Sequence, residues 1–288
     1  MYAEKLFEIG GIGPNLYGIM IAVGLICCFA VLAIFGKKVG MSKASLDFYE
    51  MTGLFAVILG FLSAMAFQWV YDSIKYGSVA DFGNMTFLGG LIGGVVVFCG
   101  ITAIWGKPEV KKDFIKFLQV GMPCVLIAHA FGRIGCFFAG CCYGVHTDSA
   151  IGIEFPDGGS HGTVVPTQLI EAIFLFIVFG LTILFIYKKI PYNVVTYLIS
   201  YSVFRFVLEF FRGDNRGTNI IGLSPSQFWS LIMFIFGGLL LTLMLLYKYR
   251  KDKVPKPLLK IASGFCEMFE NKNVKNNDSD IITKKTGA

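Results

Sequence analysis

Apolar residues fall along this chain in blocks of about twenty, parted by short polar or basic stretches. At a rise of about 1.5 Å per residue, such blocks match helices that cross a hydrocarbon core of about 30 Å. The pattern predicts seven helices, over residues 15–35, 46–71, 85–105, 117–138, 166–187, 193–211 and 224–247. Pro166 suits a first-turn position, and Ser224 suits a cap ahead of Pro225. In the third helix, FLGGLIGG carries Gly89, Gly90, Gly93 and Gly94 for close backbone packing. Between the helices lie a polar loop with Asp72, Lys75 and Asp81, a basic linker over 107–116, a Gly-, Asp- and His-containing loop over 144–165, and a tight turn over 188–192. The expected architecture is an all-α integral membrane protein: a segment over 1–14, a seven-helix transmembrane domain over 15–247, and a tail over 248–288. The tail turns from basic to polar and reads as largely disordered, with 257–269 open to either a short amphipathic helix on the inner leaflet or a solvated strand of chain.

Composition sharpens the class. With 55% hydrophobic residues and a mean hydropathy of +0.68, a soluble globular fold is excluded. The net charge of +6 then speaks to loop topology, and no nucleic-acid partner is needed to explain it. One set of loops holds Lys37, Lys38 and Lys43; Lys107, Lys111, Lys112 and Lys116; Lys188 and Lys189; and the KYRKDK run. The opposite set holds Lys5, Lys75, Arg212 and Arg216, with no Lys or Arg over 145–165. By the positive-inside rule the N-terminus is expected outside and the C-terminus in the cytoplasm. No cleavable signal peptide is expected: Glu4 and Glu8 precede a first apolar run of spanning length.

Polar residues inside the spans are the candidates for chemistry, because ionisable groups at membrane depth are costly. Residues 127–144 read IAHAFGRIGCFFAGCCYG. His129, Arg133 and Cys136 recur at helical spacing on one face, amid small residues that admit a close neighbour. In the sixth helix Tyr201, Arg205, Glu209 and Arg212 share a face. Arg205 and Glu209 either only neutralise each other or form part of a site. The fifth helix adds Thr167, Gln168 and Glu171 at its outer end, as a cap and headgroup-level carboxylate or as site residues. Two arginines from separate helices, both at outer depth, suit a phosphate, whose oxygens match the guanidinium fork. In a membrane that phosphate belongs to a phospholipid.

Of eight cysteines, Cys27, Cys28, Cys99 and Cys124 lie in apolar spans as small hydrophobes, and Cys266 lies in the tail. Cys136, Cys141 and Cys142 remain, open to three readings. They are plain thiols, a Cys136 disulfide to one of the pair on an oxidising outer face, or a metal site with His146.

GRIGCFFAGCCYG is similar in frame to the signature of the prolipoprotein diacylglyceryl transferases, in which Gly-Arg-x-Gly-Asn leads to Asn-Gly-Glu and a closing glycine. LYGIMIAVG, FLGGLIGG, PTQLIEA, YSVFRFVLEFFR and SPSQFWSL resemble further stretches of that family, in order, along the whole membrane region. The resemblance implies an enzyme of the bacterial plasma membrane. It would move the diacylglyceryl group of phosphatidylglycerol onto the lipobox cysteine of a prolipoprotein signal peptide, releasing glycerol phosphate without metal or nucleotide. By matching position Tyr17, Arg133, Gly144, Tyr201 and Arg205 inherit site roles. The chain also departs from the pattern: Leu88 stands at a histidine position, Cys136 and Ala139 at asparagines, Cys141 at the glutamate and Val165 at a frequent histidine.

That reaction needs a thiolate, and an ordinary cysteine has a pKa of about 8.5, so a base assists at neutral pH. With Leu88 unable to take a proton, His129 is the substitute base, or else a histidine bonded for packing; His146 and His161 are lesser candidates. The expected site is therefore His129, Arg133 and Arg205 for catalysis, with Tyr17, Gly144, Tyr201 and Glu209 joining the arginines in binding substrate. Cys136, Cys141 and Cys142 form a possible thiol site. The alternatives are a relative using the same lipid on another acceptor, and a non-catalytic redox or metal module.

Overall fold

The computed structural model describes residues 15–76, 86–155, 162–213 and 222–269, apart from the side chains of Lys75, Phe87 and Leu88. The segment over 1–14, Asp81, His161, Arg216 and the tail from 270 lie outside the described residues. The helices are α1 (Leu16–Lys38), α2 (Lys43–Tyr76), α3 (Phe87–Trp105), α4 (Pro108–Phe138), α5 (Thr167–Tyr187), α6 (Asn193–Leu208), α7 (Pro225–Tyr249) and α8 (Lys256–Cys266). Among the described residues six apolar helical stretches are long enough to cross a membrane, and α3, with 19 residues, is also largely apolar. Large apolar side chains such as Ile26, Ile34, Val96, Ile173, Ile177 and Leu239 stand exposed on them, as lipid-facing residues do. The chain is a multi-pass membrane protein.

Two differences from the sequence expectation concern helix extent. The stretch expected as a basic linker is the first part of α4, where Pro108 sits at the start and Glu109, Lys111 and Lys112 are good helix formers. The tail is folded as far as residue 269: Val254 and Ala262 pack on Tyr247, and the Tyr247 hydroxyl bonds to Glu267. Helix α8 thus covers most of 257–269.

The chain divides into two compact units, and the division falls within α1 and α4. In the unit over Phe29–Gly121, α2 and α3 pack through small residues. A Cβ on Gly60 would lie 3.2 Å from the Gly90 carbonyl oxygen and 3.4 Å from the Gly94 Cα, and one on Gly93 would strike Ser63. Ser63 Oγ donates to the Gly89 carbonyl at 2.9 Å, across the same close approach. Tyr49 is fully buried, stacks on Phe117 at 4.3 Å and donates to the Val110 carbonyl.

The other unit, Met1–Cys28 with Met122–Ala288, holds the polar residues singled out above. Gly24 of α1 lets the α4 backbone approach, its Cβ position being 3.1 Å from the Ala128 carbonyl oxygen. Leu126 and Ala130 of α4 pack with Leu175 and Val178 of α5, and Tyr197 and Tyr201 of α6 close over them. Ser224 caps α7 in a reciprocal capping box with Gln227, as its position before Pro225 predicts. The loop after α4 contains a short hairpin, β1 (Ile153–Glu154) with β2 (Thr163–Val164).

The α2–α3 contact makes a testable demand. Gly93→Leu should destabilise the protein by about 1–3 kcal/mol through overpacking. Gly100→Ala, which has open space around its Cβ position, should be neutral or slightly stabilising. Thermal unfolding in detergent separates the two, and equal melting temperatures would refute the packing argument.

Candidate active site

α4 runs into its last turns with His129, Arg133 and Cys136 on one face, and α5 begins with its polar residues buried. Between them sits Glu171, whose side chain is 1% exposed. Burying a lone carboxylate at this depth is prohibitive, so its partners define the site. Arg133 Nε lies 3.0 Å from Glu171 Oε2, and the Tyr201 hydroxyl donates to Oε1 at 2.9 Å. Arg133 Nε also donates to His129 Nε2 at 3.3 Å, and that nitrogen stands 3.6 Å from Glu171 Oε1. The Tyr201 ring meets the imidazole edge to face at 5.4 Å. One carboxylate thus ties α4, α5 and α6 together.

Arg205 forms a second pair. Its Nη2 lies 2.6 Å from Glu209 Oε2 and donates to Ser226 Oγ at 2.9 Å, while Ser224 Oγ donates to Glu209 Oε1 at 2.8 Å. The α6 helix tightens to a 3-10 turn over Glu209–Phe211 instead of continuing, and the capped start of α7 supplies both serines. Arg205 is close enough to act electrostatically on His129, Glu171 and Tyr201, as Arg133 does. Both arginines thus lie within electrostatic range of the same carboxylate, Glu171. Each uses only part of its fork. Arg133 makes both contacts through Nε, and Arg205 Nη1 is buried without a partner among the described residues.

The cysteine stretch is shaped by the way α4 ends. Gly140, at φ +63°, donates to the Phe137 carbonyl, and Cys141 donates to the Cys136 carbonyl at 3.2 Å. This is a Schellman turn with glycine in the left-handed position, and it folds residue 141 back over residue 136. Cys142 follows at φ +66°, unusual for a residue with a side chain. The three sulfurs lie within 4.8 Å of one another, a group that His146 does not join. α5 anchors this turn: Gln168 Nε2 donates to the Cys141 carbonyl at 2.6 Å and Thr167 Oγ1 to the Cys142 carbonyl at 2.9 Å. Gly144 pairs with Arg212, and a Cβ on it would strike the Phe211 carbonyl, so only glycine lets the two chain segments cross. Tyr17, on the first turn of α1, packs over Gly135 of α4 and within electrostatic range of Arg133 and all three cysteines.

The sequence profile described as prolipoprotein diacylglyceryl transferase matches residues 4–243. The chain belongs to that family. A phosphatidylglycerol--prolipoprotein diacylglyceryl transferase of Clostridium tetani is 34% identical over 242 residues, covering 81% of this chain and 94% of the relative. The second such transferase of Clostridium perfringens is 34% identical over 265 residues, 86% of this chain and 97% of its own. A Chlorobaculum tepidum transferase is 31% identical over 247 residues, 77% and 82% respectively.

Of the residues expected from sequence, His129, Arg133 and Tyr201 meet at Glu171, while Arg205 and Glu209 pair beside them. Glu171, Ser224, Ser226 and Arg212 are the additions. Glu171 was visible as a carboxylate in an apolar helix, but only the fold shows that it organises the cluster. Ser226 carried no signal beyond residue type, and Arg212 was read on the face of Tyr201, Arg205 and Glu209 without a link to the cysteines.

Outside the spans, Cys142 stands apart chemically. Hydrogen bonds from the Cys136 and Cys141 thiols, with the Arg212 guanidinium beside it, hold its thiol well below the ordinary range. The thiolate is the reactive form, so Cys142 should alkylate at pH values where ordinary thiols are silent. In reduced, chelator-treated protein, Arg212→Gln should move the midpoint of its iodoacetamide rate profile upward. Site-resolved mass spectrometry checks this, and an unmoved midpoint would remove Arg212 as the cause.

Proposed function

We propose that this protein transfers the diacylglyceryl group of phosphatidylglycerol to the thiol of a lipobox cysteine in a prolipoprotein, in a bacterial plasma membrane. The observation that carries this reading is the pair of arginines within electrostatic range of Glu171, each held by its own carboxylate and each with donors to spare. The carboxylates keep the guanidinium planes in place, so the unused N–H groups await phosphate oxygens without reorganisation. In this reading α3 completes a set of seven spans, and the lysine distribution supports an N-terminus outside and a C-terminus inside.

The chemistry is substitution at carbon. The acceptor thiolate attacks the glycerol carbon of the lipid, the C–S bond forms, and the C–O bond to phosphate breaks with its electron pair on the leaving oxygen. Arg133 and Arg205 stabilise the charge gathering on the departing glycerol phosphate. Tyr201 and Tyr17 line the site, Glu209 orients Arg205, and Gly144 allows the crossing that brings Arg212 alongside. His129 Nε2, released from its long contact with Arg133, takes the thiol proton. An apolar groove of Ile170, Val207, Leu208 and Phe211, with Val145 and Ile151 of the outer loop, offers room for an acyl chain or the apolar part of a signal peptide.

Three measurements test this. Purified protein given phosphatidylglycerol and a lipobox peptide should yield peptide heavier by one diacylglyceryl group. Arg133→Ala and Arg205→Ala should each lower that rate by about 100-fold or more while the protein still inserts, and full activity in either sinks the phosphate clamp. His129→Ala should slow transfer by about 100-fold, most at low pH, where less of the thiol is ionised by solvent. An unchanged pH profile would take His129 out of the mechanism.

A further inference from the structure

Three sulfur donors lie together at the edge of the site, and the two-arginine clamp makes no use of them. We propose that Cys136, Cys141 and Cys142 hold a zinc ion whose fourth coordination position takes the acceptor thiolate; the second half of this inference rests on the transfer reading.

Zinc binds thiolate sulfur at about 2.3 Å in tetrahedral geometry, which sets its sulfurs roughly 3.8 Å apart. Sulfurs already within 4.8 Å of one another need contract by only about 1 Å to reach that spacing. The turn that gathers them is built into the backbone. Gly140 takes the left-handed position, and α5 holds the carbonyls of Cys141 and Cys142. A non-glycine residue kept at φ +66° is the kind of local strain that collects at functional positions. A disulfide would join two sulfurs at about 2.05 Å and leave the third idle, whereas a soft cation uses all three. His146 stands outside the group, so three protein ligands leave one position open, as in catalytic zinc sites. Charge also fits. Three thiolates on Zn²⁺ carry −1, which the Arg212 guanidinium beside Cys142 offsets, Arg133 being already paired with Glu171.

The role follows from the substitution chemistry, which needs an ionised sulfur beside the lipid phosphate. A thiol that coordinates such an ion gives up its proton outright. That proton passes to His129 or to water. The bound thiolate then displaces phosphate from carbon, and the thioether product is a weak ligand that leaves. No electron changes hands, and zinc stays Zn²⁺. This departs from the metal-free chemistry that the sequence resemblance implies.

Full-length protein in detergent, reduced, loaded with Zn²⁺ and desalted, should retain about one equivalent, and C141S/C142S less than about a tenth of that. Cadmium-loaded protein should show a thiolate-to-metal charge-transfer band. A cysteine lipobox peptide added without any phospholipid should raise that band by about a third, as three sulfurs become four, and the serine peptide should not. Metal that washes off the native chain as readily as off the variant overturns the site. So does a metal-free protein in which two of the three sulfurs are found oxidised. A cadmium band unmoved by the cysteine peptide overturns the open position. Metal and peptide binding as described, with no transfer from phosphatidylglycerol, would support the ion site and reject the transfer reading instead.

Discussion

A carboxylate buried among apolar helices must find positive charge or hydrogen-bond donors, and the arrangement of this protein around Glu171 follows from that demand. Arg133 reaches it from α4, Tyr201 from α6, and His129 completes the ring of contacts. The pair is weak support for stability in itself, since desolvating two ions offsets much of their attraction. Its effect is specificity. Loss of either partner would leave the other charged and buried, at about 3–5 kcal/mol, so the three helices are fixed at one relative depth. That depth is what brings Arg205 of α6 into range of Glu171 and Tyr17 of α1 into range of Arg133.

The second ion pair obeys the same logic with different supports. Arg205 and Glu209 lie one turn apart on the end of α6 and would satisfy each other on any helix. Here the start of α7 intervenes, its capping Ser224 bonding the carboxylate and Ser226 the guanidinium. The cap therefore serves two ends: it starts α7 and orients an arginine. Because both pairs are internally neutral, they can be carried at membrane depth while the remaining N–H groups of each fork stay outside the pair.

The cysteine turn shows local backbone rules producing a chemical cluster. A Schellman ending brings the third residue from the helix end against the second residue beyond it, positions that ordinarily make a hydrophobic contact. In this chain both are cysteines, and a third follows directly. Sulfur chemistry thus arises where the motif would otherwise need only apolar bulk. Gly144 then lets the chain cross against Phe211, which sets Arg212 beside Cys142.

Much of this was legible in the sequence. Apolar blocks set the helices, because length and hydropathy alone govern what crosses a bilayer; glycine runs set the α2–α3 contact, and Ser224 before Pro225 set a cap. His129 with Arg133 and Arg205 with Glu209 were readable as pairs, since helical period places residues four apart on one face. What no single helix encodes is which faces meet. Glu171 lies 38 positions from Arg133 and 30 from Tyr201, and only the packing of α4, α5 and α6 made it the shared partner. The basic stretch expected as a linker became the first part of α4 and the tail folded back on α7, because helix formation and apolar burial outweighed a polar composition there. Composition and period determined the elements and the chemistry available. Tertiary structure decided which charges neutralise each other and which donors remain for a ligand, since those depend on distances between segments far apart in the chain.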